Sequence, residues 1–194
     1  RSGPDPEAVK NAAKVLMEAK RPVIYAGQGV HYAEAWPQLK ELALLMGSPV
    51  TTSLEGKSAF PENHPLSLGS GGRSMPRTVH EFLQNSDVIF GIGCSFTSTN
   101  FGVTMPKGKT IVHATLDPMD LNKNQVSQYA LVGDAALTLD ALIAEMKAQG
   151  QTPPNTSAVE KEIADMKAAW MAEWMPKLTC PDAPLNPYRV LWDL

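Results

Sequence analysis

The apolar positions of this chain switch repeatedly between helical and strand spacing. Val9, Ala12, Ala13 and Leu16 share one helical face, which predicts a helix over roughly residues 5–19, stopped by Arg21-Pro22. Val23–Ala26 is a short apolar run of strand type. Ala35, Leu39, Leu42, Ala43 and Met46 return to helical spacing, and Gly47 ends that helix. Val50–Leu54 reads as a second strand. Residues 55–72, with Phe60-Pro61, His64-Pro65 and Gly69-Ser70-Gly71-Gly72, read as one long loop, and loops of this length in compact domains are usually functional. Val79, Phe82 and Leu83 mark a third helix. Asp87–Gly93 and Thr110–Asp117 are nearly continuous apolar runs, as expected of parallel strands covered on both faces. Ala130–Val132 is a short strand, after which Asp134 caps a helix whose buried face is Leu139, Leu142, Ile143 and Met146.

Strands alternating with helices predict an α/β domain over residues 1–150: a doubly wound, Rossmann-like parallel sheet of about six strands. Residues 149–157 (Gln-Gly-Gln-Thr-Pro-Pro-Asn-Thr-Ser) form a linker. Residues 151–194 make a helical appendage expected to lie outside the doubly wound core. Its stripe of Val159, Ile163, Met166, Trp170 and Trp174 needs a covering surface, and folding back onto the domain's own flank provides one without a second molecule.

At 194 residues, 43% hydrophobic and 19% charged, the chain is long enough for one domain with a real core. A formal charge of −3 leaves no basic footprint for nucleic acid. No apolar run approaches the ~20 residues of a membrane helix. Cys94 and Cys180 match no metal or redox spacing and suggest a reduced, cytoplasmic protein. The chain opens in a polar stretch, Arg1–Pro6, and closes on what reads as an unfinished helix, Asn186–Leu194, so both ends are expected to be internal to a longer protein.

The expected carboxyl ends of the strands carry Gly27–Val30, Leu54–Lys57, Gly91–Ser95, Thr115–Asp117 and Gly133-Asp134, and open parallel sheets bind ligands at that edge. Gly27-Gln28-Gly29 begins like a dinucleotide fingerprint, but Tyr32 replaces the third glycine and a plain tight turn explains the stretch equally well. Lys57 reads as a solvated loop lysine rather than a phosphate ligand. The histidines (His31, His64, His80, His113) share no metal spacing, and His113, inside an apolar run, reads as a hydrogen-bonded core residue. Gly93-Cys94-Ser95-Phe96-Thr97 is not a nucleophile elbow. No catalytic residue and no metal ligand is expected in this chain.

Taken in order, several motifs resemble the central domain of thiamine-diphosphate-dependent enzymes of the acetohydroxyacid synthase and benzoylformate decarboxylase group. They are Arg21-Pro22-Val23-Ile24 with Gly27-Gln28-Gly29, Leu54–Pro61 with His64-Pro65, Ser86–Gly93, Ile111–Pro118, and Leu131-Val132-Gly133-Asp134. The resemblance implies a parent enzyme that decarboxylates or joins 2-keto acids with thiamine diphosphate and magnesium. It also implies partner domains on both sides and a homo-oligomeric parent. The family's Gly-Asp-Gly…Asn-Asn motif is absent, since Gly133-Asp134 is followed by Ala135-Ala136. The central domain alone is therefore expected to bind no thiamine diphosphate. The family's nucleotide positions, carried over, are Gly27, Gln28, Gly29, Gly56, Gly93, Asp117 and Asp134. Flavin-binding members carry an arginine and acidic residues where this chain has Ser95–Thr99, and an acidic residue at Thr115. Weak or no FAD binding is expected, with ADP-like ligands the better candidates. An independent nucleotide-binding module, like the related domains of electron-transfer flavoproteins or sirtuins, is the alternative.

Overall fold

The computed structural model describes residues 1–194. Helix α1 (Pro6–Glu18) starts where Asp5 accepts a hydrogen bond from the Ala8 N–H (2.9 Å), with proline in its first turn. Strand β1 (Val23–Ala26) follows, then a single turn α2 (Gly29–Tyr32) and helix α3 (Trp36–Met46), which ends on Gly47 at φ 62°. Strands β2 (Val50–Thr52) and β3 (Ser67–Ser70), helix α4 (Arg77–Asn85) and strands β4 (Val88–Ile92), β5 (Thr110–Thr115) and β6 (Tyr129–Val132) come next. Helix α5 (Ala135–Ala148) closes the repeating pattern, followed by the long α6 (Ser157–Leu178) and short α7 (Pro187–Asp193).

All six strands are parallel, in the order β3-β2-β1-β4-β5-β6. The edge strand β3 lies within the stretch expected from sequence to be a loop. Ser-Leu-Gly-Ser is too short and too polar to carry a strand pattern. It forms because β2 offers an open edge, and the pairing slips in register between Val50 and Thr51.

The pleat sends Ile24, Ala26, Phe90, Ile92, Val112 and Ala114 into one layer with the apolar faces of α1, α3 and α5. Val23, Tyr25, Ile89 and Ile111 point the other way, where α4 contributes Val79, Phe82 and Leu83. No helix lies between β4 and β5, so α4 alone leaves part of this second face bare. The amino-terminal half of α6 covers it. Ile163 is 1% exposed among Val23, Tyr25 and Ile111, with Val159 and Met166 half-buried beside it.

The linker makes this possible. Gln151 donates to the Leu45 carbonyl (3.2 Å), and Pro154 lies against Gly47 at the end of α3. The chain is thus carried from the α1/α3/α5 side to the α4 side. Beyond Met166 the stripe leaves the sheet: Trp170, 39% exposed, stacks on Trp174 (5.5 Å), and Tyr188 of α7 meets Trp174 edge-on (5.1 Å).

Candidate functional site

β1 and β4 are neighbours in space, yet their following connections run to opposite sides of the sheet. A crevice opens at that switch point, beyond the carboxyl ends of the strands. Its volume is about 510 Å3. Gly27, Gln28, Gly29, Gly93, Asp117 and Asp134 line it; Gly56 does not. Gly56 sits behind the β1 turn, where an added Cβ would stand 2.4 Å from the Ala26 carbonyl oxygen.

Backbone packing explains the glycines of the turn. A Cβ on Gly27 would stand 2.3 Å from the Gly93 carbonyl oxygen, and one on Gly29 2.7 Å from the Gly93 Cα. The Gly29 N–H donates to the Gly93 carbonyl (2.8 Å) and the Gly27 N–H to that of Ile92 (2.9 Å). Those of Val30 and His31 donate to the carbonyls of Gly27 and Gln28. Four of the turn's amides are therefore spent within the protein and none of the four faces a phosphate. The sequence left open a phosphate-approaching turn and a plain tight turn; the interlock of two loops, backbone to backbone, accounts for the glycines without a ligand.

Electrostatics points the same way. Glu55, Asp117, Asp120 and Asp134 all line the crevice, and no lysine, arginine or histidine does. Asp134 caps α5 by accepting from the Ala136 (3.1 Å) and Leu137 (3.3 Å) N–H groups, and Arg1 approaches its other oxygen at 3.6 Å from the rim. Asp117 accepts from the Met119 N–H (2.9 Å) and Asp120 from the Thr115 hydroxyl (3.2 Å). No three His, Cys, Asp or Glu side chains converge as a metal site would require.

Beneath the crevice, His113 is fully buried. Its Nε2 lies 2.7 Å from the Cys94 carbonyl and so carries the proton, leaving Nδ1 to accept from the Ser127 hydroxyl (3.3 Å). Burial lowers its pKa, against the opposing pull of the Cys94 carbonyl and Asp120. Burial also pushes the Cys94 thiol up to about 12, which makes it an inert core group. The Tyr25 hydroxyl is raised too, first by burial. At neutral pH the thiol and the phenol therefore stay protonated and the imidazole stays neutral.

The structure adds detail in and beside the site that spacing alone does not give. Glu55 and Asp120 join the lining as acids. Phe96 folds into the floor, stacked on Tyr25 (5.7 Å) and edge-on to His113 (4.8 Å), with its backbone at φ 48°. His31 is locked between α3 and the β2 loop, since the Trp36 indole N–H donates to its Nδ1 (2.8 Å) and its Nε2 meets the Lys57 carbonyl (2.9 Å).

An open parallel sheet of this strand order, with its crevice at the switch point, defines a Rossmann-like domain. Residues 9–142 match the family described as "Thiamine pyrophosphate enzyme, central domain", and the chain belongs to that family as its central domain. It is 35% identical over 199 aligned residues to the probable acetolactate synthase large subunit of Methanocaldococcus jannaschii, covering 97% of this chain and 31% of the relative. It is 36% identical over 147 residues to the acetolactate synthase large subunit IlvB1 of Mycobacterium tuberculosis, covering 74% of this chain and 24% of that one. Among solved structures, benzoylformate decarboxylase from Polynucleobacter necessarius superposes with a TM-score of 0.66 at 25% identity. That match covers 81% of this chain and 29% of the other. The chain thus spans about a third or less of the length of these proteins.

Proposed function

We propose that this domain is the structural middle of a thiamine-diphosphate-dependent enzyme that decarboxylates or joins 2-keto acids, in the manner of acetolactate synthase. The supporting observation is the distribution of similarity: 97% of this chain aligns with only 31% of an acetolactate synthase large subunit. The chain's own residues do not fit thiamine diphosphate and its magnesium. Asp134, the acid of the one Gly-Asp pair, is spent on the α5 cap, and Ala135-Ala136 follow it. The cofactor chemistry, the magnesium and the catalytic groups then belong to other domains of the parent, which works as a homo-oligomer in the cytoplasm. The test is direct. The purified chain, given pyruvate or benzoylformate with thiamine diphosphate and magnesium, shows no turnover. Activity that follows the protein through every purification step overturns the reading.

For the crevice, the favoured ligand is the nucleoside part of an ADP-like molecule, resting on Gly27, Gln28, Gly29 and Gly93, with its ribose hydroxyls toward Asp117 and Asp134; Gly56 supports the turn from behind. Carboxylates suit hydroxyl donors and repel a diphosphate, and no cation in the lining offsets four acids. Titration calorimetry with adenosine, ADP and FAD should rank them in that order. Stoichiometric FAD retained through purification would reverse it.

A further inference from the structure

Strand register brings Tyr25, Gly91 and His113 into one row. Tyr25 pairs with Gly91, and Gly91 with His113, so the row runs across three neighbouring strands on the α4 side of the sheet. Two rings flank a position with no side chain. That gap is ring-sized, and a ring fills it. Phe96, five residues after Gly91, turns back so that a Cβ on Gly91 would stand 2.3 Å from its Cε2 and Cζ atoms. The phenyl plane lies 19° from that of Tyr25 and 74° from that of His113, a stacked contact on one side and an edge contact on the other. Cys94 and the crevice complete the surroundings.

The segment carrying Phe96 is held mainly by side chains. Residues 95–100 make no backbone-to-backbone hydrogen bond. The Thr97 N–H donates to the Ser95 hydroxyl (3.3 Å) and the Ser98 N–H to the Asn124 side chain (3.0 Å). Phe96 itself sits in the left-handed region at φ 48°, where a residue with a Cβ is strained. The ring is therefore the main anchor of the segment, and the segment relaxes when the ring leaves.

We propose that the Tyr25–Gly91–His113 row is a binding slot for a neutral planar aromatic ring, occupied in the free protein by Phe96 as a displaceable plug. A ligand ring that reaches the floor takes the phenyl's place and releases residues 95–100 outward. With Phe96 seated, only the outer crevice is open, so Phe96 sets which ligands the domain admits. The slot is independent of the nucleoside reading of the outer crevice, because its walls are apolar or aromatic and share none of the four carboxylates.

Phe96→Gly suits the left-handed backbone and empties the slot, so it is the first test. Indole, a neutral fused ring, is the probe. The variant should bind indole at least about tenfold more tightly than the wild type, because no plug has to be displaced first. The NMR signals of Tyr25 and His113 should shift. A folded variant that binds indole no better than the wild type overturns the proposal, as does binding that perturbs only Leu116 and Asp117 in the outer crevice. A second measurement needs no folded glycine variant. In wild-type protein containing 4-fluorophenylalanine, the Phe96 line, assigned by its loss in Phe96→Leu, should move on indole titration. A line that stays fixed while indole signals report saturation overturns the plug. Adenosine run alongside separates the two readings. Failure of adenosine to bind either protein removes the nucleoside reading and leaves the indole result standing.

Discussion

Buried in the middle of β5, His113 uses both ring nitrogens in the neutral form, and burial holds its pKa below the ordinary 6.5. The sign of its effect on stability follows. Above pH 6.5 neither the folded nor the unfolded chain carries a proton here. Below it the unfolded chain takes one up and the folded chain resists, so stability is lost as pH falls from 6.5 toward the folded-state pKa. His64, lowered first by burial, acts in the same direction. Urea unfolding over about pH 7.5 to 5 should show this decline, and His113→Asn should flatten part of it. Asp87 behaves differently. Burial alone raises its pKa, but backbone N–H donors, including those of Lys20 (2.7 Å) and Arg21 (2.9 Å), outweigh burial and hold it below 3.8. Its contribution is present above pH 3.8 and is lost only on further acidification through the lowered value. A glycine gives the last prediction at this scale. Gly93 combines φ 62° with a Cβ position 2.7 Å from the Val30 nitrogen, so Gly93→Ala should lower stability by about 3 kcal/mol in denaturant unfolding.

Helix α6 is two different things along its length. Ile163→Ala should cost about 2–5 kcal/mol, since the residue is buried under the sheet. Trp170→Ala should cost about 1 kcal/mol, the worth of one half-exposed aromatic stack. Equal losses at both positions would refute this division. The sequence announced the stripe but not where along it the sheet would end, because helical spacing is blind to the length of the surface opposite. Elements with strong internal patterns were legible: β4 and β5 as unbroken apolar runs, α5 from Asp134 and its four apolar anchors. β3 was not, because an edge strand borrows its order from a neighbour. The crevice was legible as a place, from the glycines and acids at the strand ends. Its content was not. Glu55 and Asp120 come to line one crevice only when β2 and β5 stand three strands apart in one sheet, and the ring slot exists only in the register of three strands.

At the scale of the whole chain, the sheet finds its cover within the chain, and the proposed function places the family chemistry in other domains of the parent. Both faces of the sheet are covered by this chain's own helices, so the domain should fold by itself, and thermal unfolding should be a single transition seen alike by far-ultraviolet dichroism and tryptophan fluorescence. Separate transitions for the sheet and for α6 would show that the cover is not part of the same cooperative unit. Thiamine diphosphate and magnesium added together should leave the melting temperature unchanged, since a ligand stabilises only what it binds. An upward shift that depends on cofactor concentration would place part of the diphosphate site in this domain.

The interlock of Gly27, Gly29 and Gly93 governs how the molecule moves. Two loops joined through their backbones cannot part without breaking the N–H···O hydrogen bonds that continue from β1 and β4, so the crevice cannot widen along that seam. Amide hydrogens report this directly. Those of Gly27, Gly29 and Gly93, which donate to Ile92, Gly93 and Ala114, should exchange with deuterium at the slow rate of the central strands. Those of residues 95–100, bonded to side chains or to nothing, should exchange orders of magnitude faster. The crevice would then have one wall that exchanges with the core and one that exchanges with the surface, and any breathing of the domain is confined to the second.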